Sequence, residues 1–211
     1  GTIWLVQIYA HDALTQKISA FFSGKWYFDA YTYPFTLEER FIRFSDKKPS
    51  IIHNTTENRT HLRAHVAENL LELVASNYRS HTDGAFFEFG AIFDGDESLQ
   101  GLWILWWKKY NELSSDLSDY MMTFFGTPGA ITQWLSDTKL FAPKAYAEIS
   151  DNDGNVALRF WLVRPTLLPL FGIDDIDVYG FEIVKMPERH RSIKFSPLPE
   201  YPGTRRELNF I

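Results

Sequence analysis

Four side chains that could bind a metal recur at helical spacing in the middle of the chain. His61, His65, Glu68 and Glu72 are separated by four, three and four residues, which places two imidazoles and two carboxylates on one face of a helix. A histidine pair at this spacing can chelate zinc. The face points away from the apolar stripe of the same predicted helix, residues 54–77. We therefore expect His61 and His65 to be exposed to solvent and to hold no metal.

Two arginines on the opposite side of that helix could bind an anion. Arg59 and Arg63 project toward the apolar stripe. An arginine in this position must extend its charged end to solvent, pair with a carboxylate or bind an anion. The spacing therefore predicts either a structural ion pair or an anion-binding site at these two residues.

Two further histidines each begin a His-x-Thr/Ser triplet, at His53 and His190. Such a pair of triplets resembles the two-histidine phosphoesterases, and the resemblance covers six residues. It implies that paired histidines act as general acid and general base. In that family the triplet lies on a strand with apolar flanks, whereas Thr56 and Glu57 follow the first triplet here and Glu188 and Arg189 precede the second. If the chain is an enzyme, its candidate catalytic residues are His53, His61, His65 and His190.

Other common catalytic and cofactor motifs are absent from the sequence. It contains no phosphate-binding P-loop, no dinucleotide-binding glycine motif, no nucleophile elbow and no zinc-protease motif. It also has no cysteine, which excludes thiolate metal sites, a disulfide framework and a cysteine nucleophile. We expect no cofactor and no metal.

Two compact acidic loops are the most suggestive feature of the charge pattern, and a tyrosine follows the second loop. The candidate binding residues are Asp94, Asp96, Glu97, Asp174, Asp175, Asp177 and Tyr179. Acidic loops can steer a basic partner and raise its association rate. The same residues would also be polar simply because loops are solvated.

The overall charge favours a protein partner over a nucleic acid. The chain has 211 residues and a net charge of -6, and a general nucleic-acid binder usually has a basic surplus. We therefore predict an acidic inhibitor of a basic protein, for example a bacterial toxin-immunity protein. The alternatives are a hydrolase or phosphoesterase with dispersed histidines, and a structural or assembly protein. The longest apolar runs are about six residues, so we expect no membrane span. A cytoplasmic location is favoured, and the oligomeric state stays open.

The elements predict a single α+β domain, with a mixed or mainly antiparallel sheet packed by three or four helices. Residues 187–211 form a proline-punctuated, irregular tail. Residues 37–44 suit a helix or a strand. The predicted strands are residues 2–9, 26–33, 85–93, 146–150, 156–163 and 176–186, and the predicted helices are residues 11–22, 54–77, 115–125 and 128–135.

A tryptophan-rich stretch, residues 101–110, suits a helix and a strand equally. As a helix it would be apolar on every side, and as a strand it would be apolar on both faces. Both alternatives favour a core element over a binding platform. We expect Leu102, Trp103, Leu105 and Trp106 to be mostly buried.

Overall fold

The computed structural model of this chain describes residues 2–51, 60–81, 83–94, 96–105, 110–134 and 139–187. The α-helices in this part are α1 (Thr2–Ser23), α2 (Glu38–Phe44), α3 (Ala67–Asn77) and α4 (Tyr110–Phe125), and a 3₁₀ helix spans Pro165–Phe171. The strands are β1 (Phe28–Asp29), β2 (Phe35–Thr36), β3 (His61–Leu62), β4 (Ala85–Asp94), β5 (Asp96–Leu105), β6 (Ala130–Trp134), β7 (Phe141–Ser150), β8 (Val156–Val163) and β9 (Tyr179–Ile183). These elements confirm the predicted α+β class.

Seven of the strands form one mixed sheet in the order β1-β4-β5-β9-β8-β7-β6, and β2 pairs with β3 in a separate two-stranded sheet. β1 runs parallel to β4, and every other pair in the large sheet is antiparallel. The β7–β8 hairpin is confirmed as predicted. Asp151 closes its turn, because the Asp151 carboxylate accepts the N–H groups of Asp153 and Asn155, at 3.0 and 2.9 Å.

Both faces of the large sheet are packed by the protein itself. On one face α1 and α4 bring Phe22 and Tyr120 against Phe87 and Phe181. On the other face lie α3 and the 3₁₀ helix, over a second cluster that includes Trp161. Neighbouring residues of a strand point to opposite faces, so the central strands are apolar in nearly every position. Within the described residues, no helix has the length and apolar character needed to cross a membrane.

Three of the predicted elements were wrong. Residues 2–9 continue α1 instead of forming a strand, since a short apolar run fits a buried helix equally well. Residues 130–134 form β6, where a helix was expected. Gly129 adopts a positive φ of 76° immediately before this strand, which turns the chain into extended backbone. The helix predicted over 54–77 begins only at Ala67, and His61–Leu62 is a strand.

The remaining elements refine the sequence interpretation. Residues 37–44 contain helix α2. Only Phe28–Asp29 of the predicted strand 26–33 pairs with β4. Residues 96–105 are a strand, which resolves the first half of the tryptophan-rich stretch. The predicted burial of its tryptophan and leucine side chains lies outside the described part of the structure, as does the tail from residue 188 onward.

Candidate functional site

Arg63 lies in the connection between β3 and α3, and its backbone fixes this connection to two other segments. Its N–H donates to the carbonyl of Pro34 at 2.9 Å, and its carbonyl accepts the N–H of Phe93 at 2.9 Å. The backbone of Arg63 therefore bridges the segment before β2 and the end of β4. This position lets the side chain extend along the sheet, where it is 1% exposed.

The guanidinium of Arg63 is enclosed by four partners. Nη2 donates to Glu88 Oε1 at 2.8 Å, and Nε donates to the carbonyl of Ala91 at 2.9 Å. Nη1 donates to Thr32 Oγ1 at 2.6 Å and to Asn69 Oδ1 at 3.3 Å. A buried charge needs such compensation, because desolvation without partners costs several kcal/mol. We call Arg63, Glu88, Thr32 and Asn69 the Arg63 network.

Two features complete this network. The Thr32 hydroxyl donates to Glu88 Oε2 at 2.5 Å, so both carboxylate oxygens of Glu88 are used. Gly90 leaves room for the ion pair, since a Cβ there would lie 2.6 Å from Glu88 Oε1 and would clash with Arg63 Nη2. Arg63 thus forms the structural ion pair that was one of the two alternatives. Anion binding at Arg63 stays a prediction that would require a ligand to displace these partners, and Arg59 lies outside the described residues.

Glu68 is a second buried carboxylate next to the network. Its Oε1 accepts the N–H groups of Ala64 and His65, at 2.8 and 3.1 Å, just before α3 begins. Burial raises the pKa of Glu68 to about 7, against the opposing effects of hydrogen bonds from Thr36 and the backbone. The Glu68 carboxyl therefore stabilises the start of α3 by accepting two backbone N–H groups, while burial disfavours its charged form.

This raised pKa predicts a stability change with pH. The folded protein binds the Glu68 proton more tightly than the unfolded chain does, so the stabilisation is fully present below about pH 4.5 and is lost as the pH rises through about 7. Glu68→Gln removes the ionisable group and keeps an oxygen acceptor. Between about pH 5 and 8 we expect the free energy of unfolding of the wild type to fall by on the order of 2 kcal/mol more than that of the variant. Urea denaturation at several pH values measures this difference.

The exposed residue Glu112 on α4 provides the control for that experiment. Glu112→Gln removes one exposed carboxylate outside the buried region around Glu68 and should follow the wild-type curve. If Glu68→Gln also follows the wild-type curve, Glu68 does not titrate in this range.

The four residues at helical spacing do not share one helix face, and the expected exposure of His61 and His65 was wrong. His61 is buried against Phe41. His65 is half-buried, with Trp161 edge-on at 6.4 Å, and its Nδ1 accepts the N–H of Ala67 at 3.1 Å. The cause is the late start of α3, which puts a strand and a turn where helical periodicity was assumed.

The remaining candidates for metal binding or catalysis are placed as follows. Glu72 forms an ion pair with Arg40. Among the described residues, no three His, Cys, Asp or Glu side chains are grouped so that they could hold a metal ion. His53 and His190 lie outside the described part of the chain, so a catalytic role for either is untested.

The second acidic loop is exposed, and the side chains of Asp94, Asp96 and Glu97 in the first loop are outside the described part. Asp174 lies 3.6 Å from Arg79 Nη2, with both side chains mostly in solvent. Asp175 and Asp177 are also exposed. Tyr179 packs against the α1–α4 core, and burial raises its pKa. Partner binding by these loops stays a prediction.

Sequence reasoning missed the residues that compensate Arg63, although one signal was available. Glu88 is the only charged residue in the otherwise apolar stretch 85–93. A lone acid in a strand that is covered on both faces requires a buried cation or donor. Thr32 and Asn69 carry no comparable signal, because their contacts depend on the tertiary fold.

One surface cavity, of about 260 Å³, opens over strands β6 to β9. Its lining includes the apolar residues Ala147, Phe160 and Leu162, and Gln133, Tyr146 and Tyr179 add polar groups. This volume is near the lower end for small-molecule sites. The cavity is therefore small and mainly apolar, and its lining contains no acid, base or histidine.

The mixed sheet, which is covered on both faces and encloses the hydrogen-bonded Arg63 network, defines an α+β domain without an evident constellation of reactive groups in its described part. A solved structure with a similar fold is PylSc from Desulfitobacterium hafniense, a pyrrolysyl tRNA synthetase, with a TM-score of 0.62 and 13% sequence identity. The match covers 82% of this chain and 66% of that chain, so the chain spans slightly less than two thirds of that structure. At this identity the similarity concerns the fold.

The family is shown by the sequence itself. The family model for the phenylalanyl tRNA synthetase beta chain CLM domain matches residues 7–183, and the chain belongs to this family. A comparison with the curated proteins finds no match.

This membership corrects the predicted function and partners. The acidic toxin-immunity protein and the dispersed-histidine hydrolase were both wrong, because the matching family is a tRNA synthetase domain. The expectation of a basic protein partner, with no general nucleic-acid binding, was wrong for the same reason. Net charge averages over the whole surface and does not report on a local basic area.

Proposed function

We propose that this chain acts as a domain of a phenylalanyl tRNA synthetase β chain and supports the attachment of phenylalanine to tRNA. The family match over residues 7–183 carries this proposal. The fold it shares with a pyrrolysyl tRNA synthetase supports it independently. A cytoplasmic location and the expected absence of a cofactor are part of the same proposal.

Within this function, the domain binds RNA and does not supply reacting groups of its own. The support comes from how the polar side chains are used. Arg63 and Glu88 pair with each other and with Thr32, and His65 accepts a backbone N–H at the start of α3. A catalytic acid, base or nucleophile must instead reach the substrate within hydrogen-bond distance.

A direct binding measurement tests the proposal. The full 211-residue chain is titrated into a fluorescein-labelled tRNA transcript at about 0.05 M salt, and anisotropy is recorded. We expect a dissociation constant of roughly micromolar order. The dissociation constant should rise as the salt concentration is raised, because phosphate contacts are screened by salt. An unrelated acidic protein of similar size is the control. Binding no tighter than that of the control would refute the RNA-binding role.

A second measurement addresses the chemistry. The chain is incubated with phenylalanine, ATP and labelled pyrophosphate, and the incorporation of label into ATP is followed. We expect no exchange above background, because Arg63, Glu88 and His65 are hydrogen-bonded within the fold. Phenylalanine-dependent exchange by the chain alone would show that the domain does supply reacting groups.

A further inference from the structure

The short helix α2 is held against the body of the domain by its aromatic side chains. Phe41 is fully buried beside His61, and Phe44 packs edge-on against Phe171 at 6.3 Å. Arg40 lies over the Phe171 ring at 4.7 Å and forms an ion pair with Glu72. These contacts fix which face of α2 points outward.

The end of α2 is closed by a lysine from a distant part of the sequence. Lys139 Nζ donates to the carbonyls of Ile42 and Ser45, at 2.9 and 3.0 Å, and forms an ion pair with Asp46. The last carbonyls of a helix carry a partial negative charge, and a cation placed there offsets it. Lys139 therefore removes the repulsion that an incoming anion would meet at this end of α2.

Three more cations surround this closed end. Arg43 is exposed on the outward face of α2. Lys47 and Lys48 are exposed in the following turn, where the Lys47 N–H donates to Ser45 Oγ at 3.0 Å. We call Arg43, Lys47, Lys48 and Lys139 the basic rim.

The charge of the basic rim differs in sign from that of the whole chain. The whole chain has a net charge of -6. In residues 40–51, by contrast, Asp46 is the only acid, and it is paired with Lys139. The two acids of α2, Glu38 and Glu39, lie in its first turn, at the other end of the helix. At physiological salt the screening length is about 8 Å, so an approaching anion would respond mainly to the rim.

We infer that the basic rim binds the phosphate backbone of RNA, an inference that rests on the proposed function. Clustered lysine and arginine side chains recognise phosphates without reading sequence. A protein partner of comparable affinity would need large anchors such as tryptophan or tyrosine, whereas the large apolar side chains exposed within residues 40–51 are two isoleucines, Ile42 and Ile51. The contact would position tRNA on the face of the sheet that carries α2 and α3.

Charge reversal in the rim, compared with a matched reversal elsewhere, tests the inference. Lys48→Glu and Arg43→Glu are made singly, and Lys17→Glu is the control. Lys17 is an exposed lysine on α1, which packs on the opposite face of the sheet. Binding of the full chain to the labelled tRNA transcript is measured across about 0.05–0.3 M salt, and thermal unfolding checks that each variant is folded.

Each rim variant should weaken binding about five- to tenfold at about 0.1 M salt. It should also reduce the slope of log affinity against log salt by about 0.7–0.9, the value for one lost phosphate contact. Lys17→Glu should change the affinity less than about twofold. If the wild type binds tRNA and the rim variants behave like Lys17→Glu, the rim inference fails and the RNA-binding function survives. If the wild type does not bind tRNA, both fail.

Discussion

Replacing Arg63 by methionine is expected to lower the free energy of unfolding by about 3–5 kcal/mol. The substitution leaves the Glu88 carboxylate, which is 1% exposed, without its cation. Only the Thr32 hydroxyl remains as a donor to that carboxylate within the Arg63 network. Ala91 and Asn69 also lose a hydrogen bond each. Urea denaturation followed by circular dichroism at neutral pH measures the change.

Two controls separate the loss of a buried ion pair from the loss of an arginine. Arg79→Met removes the arginine of an exposed pair with Asp174, and exposed pairs contribute about 0–1 kcal/mol. The double variant Arg63→Met/Glu88→Met removes both charges and should recover much of the stability. A loss below about 1 kcal/mol in Arg63→Met would show that the buried ion pair contributes little.

The elements that sequence reasoning predicted correctly are defined by local signals. The β7–β8 hairpin follows from the turn at residues 151–155, where Gly154 supplies a positive φ of 81°. Helix α4 follows from apolar residues at helical spacing, and Leu117, Tyr120 and Met121 are buried as that spacing predicts. In both cases the residues that define the element are close to each other in the sequence.

The start of α3 could not be predicted, because long-range contacts fix it. A periodic apolar pattern continues upstream into residues that form β3 and the connection around Arg63. That connection is not helical, because the backbone of Arg63 bonds to Pro34 and Phe93, which are about 30 residues away on either side. Tertiary bonds therefore override the local helical preference. This single error also produced the wrong exposure for His61 and His65.

The basic rim could not be predicted from the sequence for a related reason. Arg43, Lys47 and Lys48 are close in sequence, but Lys139 reaches them only through the fold. A sum over all charges gives -6 and conceals the local surplus. The family match likewise extends over residues 7–183 and is not confined to a short segment.

Trp161 belongs to the second core cluster, and its position depends on the absence of a side chain in the neighbouring strand. Its ring lies 4.3 Å from that of Phe141 and is 1% exposed. A Cβ at Gly180, the register partner of Trp161 on β9, would lie 2.9 Å from the indole. Its Nε1 is buried without a hydrogen-bond partner among the described residues. Close packing therefore fixes the position of the indole, and no hydrogen bond from Nε1 contributes within the described residues.

Trp161→Ala is accordingly expected to cost about 3–5 kcal/mol, because it removes a large buried side chain and leaves a cavity between β8, α3 and the 3₁₀ helix. Trp161→Phe should cost clearly less, since a phenyl ring fills part of the space and the variant loses an unpaired N–H that is expensive to bury.

Gly180→Ala should destabilise the wild type by overpacking. It should be tolerated better in the Trp161→Phe background, where the indole atoms nearest the new Cβ are gone. Urea denaturation of the three single variants and the double variant measures these differences. Equal costs for Trp161→Phe and Trp161→Ala, or a Gly180→Ala cost that is the same in both backgrounds, would show that the indole is not held by this close fit.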